Sequence, residues 1–157
     1  MDELITETTP PAVHMQNVSY TYPNSSTGAD TENADPEKKT LTLDNVTLRI
    51  TPGETILLVG ESGSGKSTCL RTMNALVPQF YNGELTGTVH VNGTDVNELK
   101  LADMASRSAM VFQNPRTQFF TSAVRSEMAL TLENLGVEPS RILETIDEVA
   151  EQTGITH

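Results

Sequence analysis

Cysteine, aromatic rings and basic side chains are all scarce in this chain. Its 157 residues include one cysteine, no tryptophan, three tyrosines and four phenylalanines. The lone Cys69 excludes an internal disulfide framework and fits a reducing compartment. Ten lysines and arginines stand against 21 acids, a net charge of −11, which argues against a nucleic-acid partner. The longest clean apolar run is Ile56-Leu57-Leu58-Val59, far short of the roughly 18 residues of a membrane-spanning helix. The start, Met1-Asp2-Glu3-Leu4, lacks the basic-then-apolar order of a secretory signal. What remains is enough for a core: 36% of the residues are hydrophobic, and the length fits one domain, or one domain plus a fragment.

Residues 1–12 are polar and end in Pro10-Pro11, which predicts a loose tail. Val13, Met15, Val18, Tyr20 and Tyr22 roughly alternate, predicting an edge-type strand from Val13 to Tyr22. Residues 23–40 hold little to bury and predict a long polar loop. Leu41, Leu43, Val46, Leu48 and Ile50 resume the alternation, and Thr51-Pro52-Gly53-Glu54 is a turn. Thr55 to Val59 is apolar almost throughout, as in a strand buried on both faces. A helix is expected from Lys66 to about Leu76. Strands are expected at Gly87–Val91, closed by Asn92-Gly93, and at Ser108–Phe112. Residues 122–134 and 139–152 read as helices. In the second, Ile142, Ile146 and Val149 share a face, Pro139 suits the first turn and Gly154 the stop.

The chemistry sits in Gly60-Glu61-Ser62-Gly63-Ser64-Gly65-Lys66-Ser67, which matches the phosphate-binding pattern G-x-x-x-x-G-K-[ST]. Glycines let the backbone turn tightly and aim its N–H groups inward. Those donors and the following helix N-terminus favour a polyanion. Lys66 reaches toward β- and γ-phosphates, the Ser67 hydroxyl ligates Mg²⁺, and Thr68 is placed to help bind phosphate. The bland reading is a glycine-rich structural loop, but an apolar segment before the pattern and a helix after it make chance agreement rare. The GTPase strings N-K-x-D and D-x-x-G are both missing. A metabolite kinase usually opens with this loop, whereas two strand-like segments come first here.

Those segments and the stretch beyond resemble the ATP-binding cassette (ABC) ATPases, from about Val13 onward. Val18-Ser19-Tyr20-Thr21-Tyr22-Pro23 looks like the family's aromatic loop, and the resemblance implies that the Tyr22 ring stacks on adenine. Leu43 to Ile50 and Pro52-Gly53-Glu54 resemble the family's approach to the P-loop. Gly87-Thr88-Val89 with Val91-Asn92-Gly93 resembles the hairpin after it. Val111-Phe112-Gln113-Asn114-Pro115 resembles the Q-loop, which implies that Gln113 touches Mg²⁺ and the attacking water and couples the site to a membrane subunit. Gln113 to Phe120, and Leu132-Glu133-Asn134-Leu135-Gly136-Val137, are similar to the ATPase subunits of energy-coupling factor (ECF) importers of vitamins and metal ions.

The resemblance implies an α/β P-loop NTPase (RecA-like) core, an antiparallel β-subdomain and the start of a helical subdomain. The expected divisions are a tail at 1–12, the β-subdomain and core at 13–120, and a partial helical subdomain at 121–157. Cofactors would be ATP and Mg²⁺. Partners would be a second ABC ATPase and a membrane-embedded coupling subunit met through the Q-loop region, with the protein peripheral on the cytoplasmic face of the membrane. The signature string L-S-G-G-Q and a Walker B strand ending in Asp-Glu do not occur. The chain is therefore expected to be the N-terminal piece of a nucleotide-binding domain, incompetent in hydrolysis alone and with an exposed apolar edge at the P-loop strand. Two other classes stand beside this reading: a non-catalytic nucleotide-binding regulatory module, and another P-loop enzyme such as a metabolite kinase.

Smaller signals are read more plainly. Asp147-Glu148 follows a helical pattern and is no Walker B. His14 and His90 are expected to face solvent, and His157 is not the switch histidine. Cys69 is expected to be a packed thiol. The seven acids from Glu127 to Glu151 form a solvated helical face rather than a metal site. Tyr20 and Tyr22 point to one side, and Phe119-Phe120 is expected to face a partner.

Overall fold

The computed structural model describes residues 10–23 and 41–156. The tail at 1–9, the polar loop from 24 to 40 and His157 lie outside the described residues. The chain divides into two compact units, one running to Met110 and one from Val111.

The first unit is built on a four-stranded antiparallel sheet. Its strands are β1 (Val13–Thr21), β2 (Leu43–Ile50), β3 (Glu84–Val91) and β4 (Thr94–Asp95), in the order β2-β1-β3-β4. β1 is therefore an inner strand and not the edge its sequence predicted. Polar Gln16 and Asn17 gave it an edge-like composition, but both of its sides are paired.

Those two residues mark a bulge. β1 keeps Met15 and Val18 buried three positions apart, which strict alternation forbids, and Asn17 takes up the difference with a left-handed φ of 50°. β2 does the same between Leu43 and Val46, with Asn45 at φ 49°. Each bulged amide is lost to the ladder and caught by a hydroxyl on the other strand. Asn17 N donates to Thr47 Oγ1 at 3.0 Å, and Asn45 N donates to Ser19 Oγ at 2.8 Å. The offset introduced at Asn17 is undone at Asn45, so Met15 faces Leu48, Val18 faces Val46 and Tyr20 faces Leu43. On the other side of β1 the bulge meets Gly87 of β3. There a Cβ would lie 2.5 Å from the carbonyl oxygens of both Gln16 and Asn17, and φ is +83°, so only glycine fits.

One face of the sheet carries the core. Met15, Val18, Tyr20, Leu43, Val89 and Val91 pack with Cys69, Ala75, Val77, Val96 and Met104. These come partly from α1 (Lys66–Met73), from a short helical turn α2 (Leu76–Gln79) and from α3 (Leu101–Met104). Cys69 is the packed thiol expected, with Sγ 4.0 Å from Met15 Sδ. His14 and His90 pair across β1 and β3, between Arg49 on β2 and Asp95 on β4. Both are half-buried rather than solvent-facing, on paired inner positions with a strand on either side.

Two expected strands are not strands. Thr55–Val59 is irregular, and Leu57 and Val59 are 84% and 76% exposed. Burial of a strand is conferred by its neighbours, and among the described residues none pairs with this segment. Its exposed apolar character is the one anticipated for this stretch. Ser108–Phe112 is likewise irregular, with Val111 exposed.

The second unit holds a 3₁₀ turn (Pro115–Gln118), α4 (Val124–Asn134) and α5 (Pro139–Thr153). Pro139 opens α5, and Gly154 ends it at φ 71°, with Ile155 N bonding back to Ala150 O at 2.9 Å. Its buried stripe is Ile142, Ile146 and Ala150, a strict i, i+4, i+8 row, so Val149 is outside it. Asp147 and Glu148 are exposed on this helix, as are the other acids except Glu127.

Candidate functional site

The chain enters the loop at Gly60 and leaves it through Gly65, whose left-handed φ of 86° forms the N-cap of α1. A Cβ on Gly65 would stand 2.6 Å from the carbonyl oxygen of Thr42 and 3.0 Å from Leu43 Cδ2. The glycine therefore lets the loop press against the start of β2. The first intrahelical bond, Cys69 N to Gly65 O, is 2.8 Å long. The N–H groups of the first turn are left over at the loop, where helix geometry makes them donors to an anion.

Lys66 projects from this first turn back across the loop. Its ammonium donates to Gly60 O at 2.8 Å, to Glu61 O and to Ser64 Oγ at 3.2 Å. Those three acceptors hold a fixed positive charge in the ring of loop backbone. Ser67 is exposed on the same turn, and Thr68 is buried one residue further on. Oriented main-chain donors, one ammonium and one free-standing hydroxyl are the donor set that a nucleotide triphosphate with Mg²⁺ requires, so these residues fit both groups.

Tyr22 reaches the same helix from the end of β1. Its hydroxyl lies 3.2 Å from Thr68 Oγ1 and accepts from Arg71 Nη1 at 3.2 Å. The structure thus gathers Gly60 to Thr68 and Tyr22 within one unit. Gln113 belongs to the second unit, exposed just before the 3₁₀ turn. Sequence reasoning missed Arg71. The available signal was its spacing three residues after Thr68, which puts both on one face of α1.

In the second unit, Glu127 is the half-buried acid, and it binds the strand-like stretch before α4. Its carboxylate accepts from Thr121 N at 2.9 Å, Thr121 Oγ1 at 3.0 Å and Phe120 N at 3.1 Å. The Thr121 amide bond, first among these, holds its pKa below the ordinary glutamate value. The exposed Phe119 and Phe120 side chains are carried on the backbone that Glu127 fixes. Burial pushes the Cys69 thiol up, consistent with a structural role. No helix among the described residues is long and apolar enough to cross a membrane.

Comparison with known proteins places this loop in context. The profile of the ABC transporter family matches residues 43–157. A putative ABC transporter ATP-binding protein of Pyrococcus abyssi is 40% identical over 126 residues, covering 80% of this chain and 40% of that protein. Another, from Treponema denticola, is 34% identical over 137 residues, covering 87% of this chain and 25% of the relative. The chain thus spans less than half the length of the curated relatives it matches. Among solved structures, CbiO1 of Clostridium perfringens, part of the ABC transporter complex CbiONQ, superposes with a TM-score of 0.70. It is 18% identical, with 94% of this chain and 52% of that one covered, a likeness of fold.

Proposed function

The chain belongs to the ABC transporter family, and from that premise we propose that it is the nucleotide-binding part of an ATPase subunit that energises a membrane importer of ECF type. The observation that carries this is the Gly60–Ser67 loop closed on the N-terminus of α1, with the Lys66 ammonium held across it. In this reading the loop amides and Lys66 grip the triphosphate, Thr68 assists, and the Tyr22 ring supports the adenine. Bound Mg²⁺ would be held by Ser67 and Gln113 and would offset phosphate charge.

Gln113 and the exposed Phe119-Phe120 pair would carry the nucleotide state toward a membrane coupling subunit. A second ATPase subunit or domain would close over the nucleotide, and the complex would sit on the cytoplasmic face of the membrane. Vitamins, metal ions or similar small solutes are the cargo class that the resemblance of Gln113–Phe120 supports. An amide accepts no proton at neutral pH, so Gln113 is no general base. These 157 residues contain neither the signature string nor a Walker B strand. The polypeptide alone is therefore expected to bind MgATP weakly and to hydrolyse none at a useful rate.

Calorimetric titration of the folded chain with MgATP tests the reading. Saturable heat that Lys66→Ala abolishes supports it. Identical null titrations of both proteins, each shown to be folded, overturn it. A steady-state ATPase of the chain that disappears in Lys66→Ala would overturn the hydrolysis part alone.

A further inference from the structure

The chain spends all three of its tyrosines around one arginine. Tyr20, Tyr22 and Tyr81 are its only tyrosines, and Arg71 touches two of them. The Arg71 guanidinium lies over the Tyr81 ring, 4.5 Å from its centroid, while Nη1 donates to the Tyr22 hydroxyl at 3.2 Å. Tyr22 in turn meets Tyr20 edge-on, with ring centroids 4.8 Å apart. Tyr20 is fully buried, and its hydroxyl donates toward the carbonyls of Asn82 and Tyr81 at 2.8 and 3.0 Å. At Gly83 a Cβ would lie 2.4 Å from the Tyr20 hydroxyl oxygen, so the chain closes tightly over this ring.

These contacts fix Arg71 first. Its plane is set by the Tyr81 face, and Tyr81 N bonds to Leu76 O at 2.8 Å. A guanidinium only donates, so the Tyr22 oxygen must accept from it, while the Tyr22 and Thr68 hydroxyls, 3.2 Å apart, can bond with either one as donor. Thr68 and Arg71 stand three residues apart on α1, the spacing at which two helical side chains meet one partner. The Tyr22 ring is thus pinned at its far end by two groups of the P-loop helix and braced at its side by Tyr20.

We propose that Arg71 is the positioning residue for the adenine platform: it holds the Tyr22 ring ready beside the phosphate loop, and so tunes affinity for the nucleoside end of the ligand and not for its phosphates. This rests on the reading of Tyr22 given under Proposed function. Arg71 donates to Tyr22, and Lys66 is held by a separate set of oxygens. Arginine's planar fork is what allows stacking and donation together, which a lysine ammonium does not reproduce.

The test compares MgATP with magnesium tripolyphosphate, which presents the same anionic groups without a base. Binding to the full chain is measured by calorimetry for the unmodified protein, Arg71→Gln, Tyr22→Phe, the double variant and Lys66→Ala. Arg71→Gln is expected to weaken MgATP about threefold to tenfold, the size of one side chain's ordering cost. Tripolyphosphate affinity should stay within about twofold, the additivity error of such comparisons. Tyr22→Phe keeps the ring and loses the hydroxyl, so it should match Arg71→Gln, and the double variant should be no weaker than either single one.

Equal losses for both ligands, no loss at all, or additive losses in the double variant would each overturn the proposal. If Arg71→Gln does not fold, Tyr22→Phe decides alone by the same ratio. A wild-type chain that binds neither ligand removes the nucleotide-site reading and this inference with it. A chain that binds both equally well keeps the phosphate site and removes only the platform and its positioning residue.

Discussion

Replacing Gly65 by alanine gives a direct measure of how tightly the phosphate loop is pressed onto the sheet. The control is Gly63→Ala in the same loop. Both glycines are left-handed, at φ 86° and 84°, but an added Cβ meets nothing within 4 Å at Gly63. At Gly65 it meets the Thr42 carbonyl oxygen at 2.6 Å, a backbone atom that no rotamer change removes. A left-handed alanine costs about 1–2 kcal/mol. The unfolded chain returns about 0.4–1 kcal/mol of that by losing glycine's freedom. Gly63→Ala should therefore cost about 1 kcal/mol. Gly65→Ala adds an overpacking cost of about 1–3 kcal/mol, so the two variants should differ by about 2 kcal/mol. At this chain length that is a gap of about 4–8 °C in Tm. Tyrosine fluorescence during urea or thermal unfolding is a suitable assay. All three tyrosines lie in the first unit, and no tryptophan masks them. Equal destabilisation of the two variants, to within about 0.5 kcal/mol, would refute the close approach of loop and strand.

Further outcomes follow from two of the ionisable groups with displaced titration, Glu127 and Cys69. Because the folded pKa of Glu127 is depressed, its contribution is full above the ordinary glutamate value of about 4.3 and is lost as pH falls through the lower folded value. The Thr121 amide resonance should titrate with a midpoint below that ordinary value, and Glu127→Gln should abolish the titration. A midpoint at or above the ordinary value would remove the clamp on Phe120 and Thr121. The raised Cys69 thiol should react with a disulfide reagent far more slowly in the folded chain than in urea, and equal rates would contradict its packing against Met15. Cys69→Ser places an unpaired hydroxyl in that core and should cost about 1–3 kcal/mol, read from the urea midpoint.

Much of the site was legible before any coordinates, because a phosphate loop is written in contiguous residues. The string from Gly60 to Ser67 specifies its own backbone conformation and its own charge. The helices α4 and α5 were legible for the same local reason, down to Pro139 and Gly154. Pairing partners are a different matter. The inner position of β1 depends on β2 and β3 arriving on both sides, and Gln16 and Asn17 disguise it. Conversely, the apolar tract from Thr55 to Val59 reads as doubly covered, yet cover is supplied by other strands and not by the tract. The step of three between Met15 and Val18 was visible as a broken alternation, but only the left-handed Asn17 facing Gly87 shows it to be a bulge. Arg71 was overlooked because its meaning lies in rings 49 and 10 residues away along the chain, at Tyr22 and Tyr81.

The matched irregularities at Asn17 and Asn45 bear on how this sheet can change over time. Each strand carries one surplus residue relative to the other, and the two cancel before Tyr20 and Leu43 are reached. Loss of the Asn17 codon alone would leave a plain alternation in which Met15, Val18 and Tyr20 still share the core face, with β1 one residue shorter against both neighbours. Against β2, loss of both together keeps the two strands equal in length between Met15–Leu48 and Tyr20–Leu43. In lineages that share this hairpin, a gap at Asn17 should therefore go with release of the glycine opposite it from its constraint.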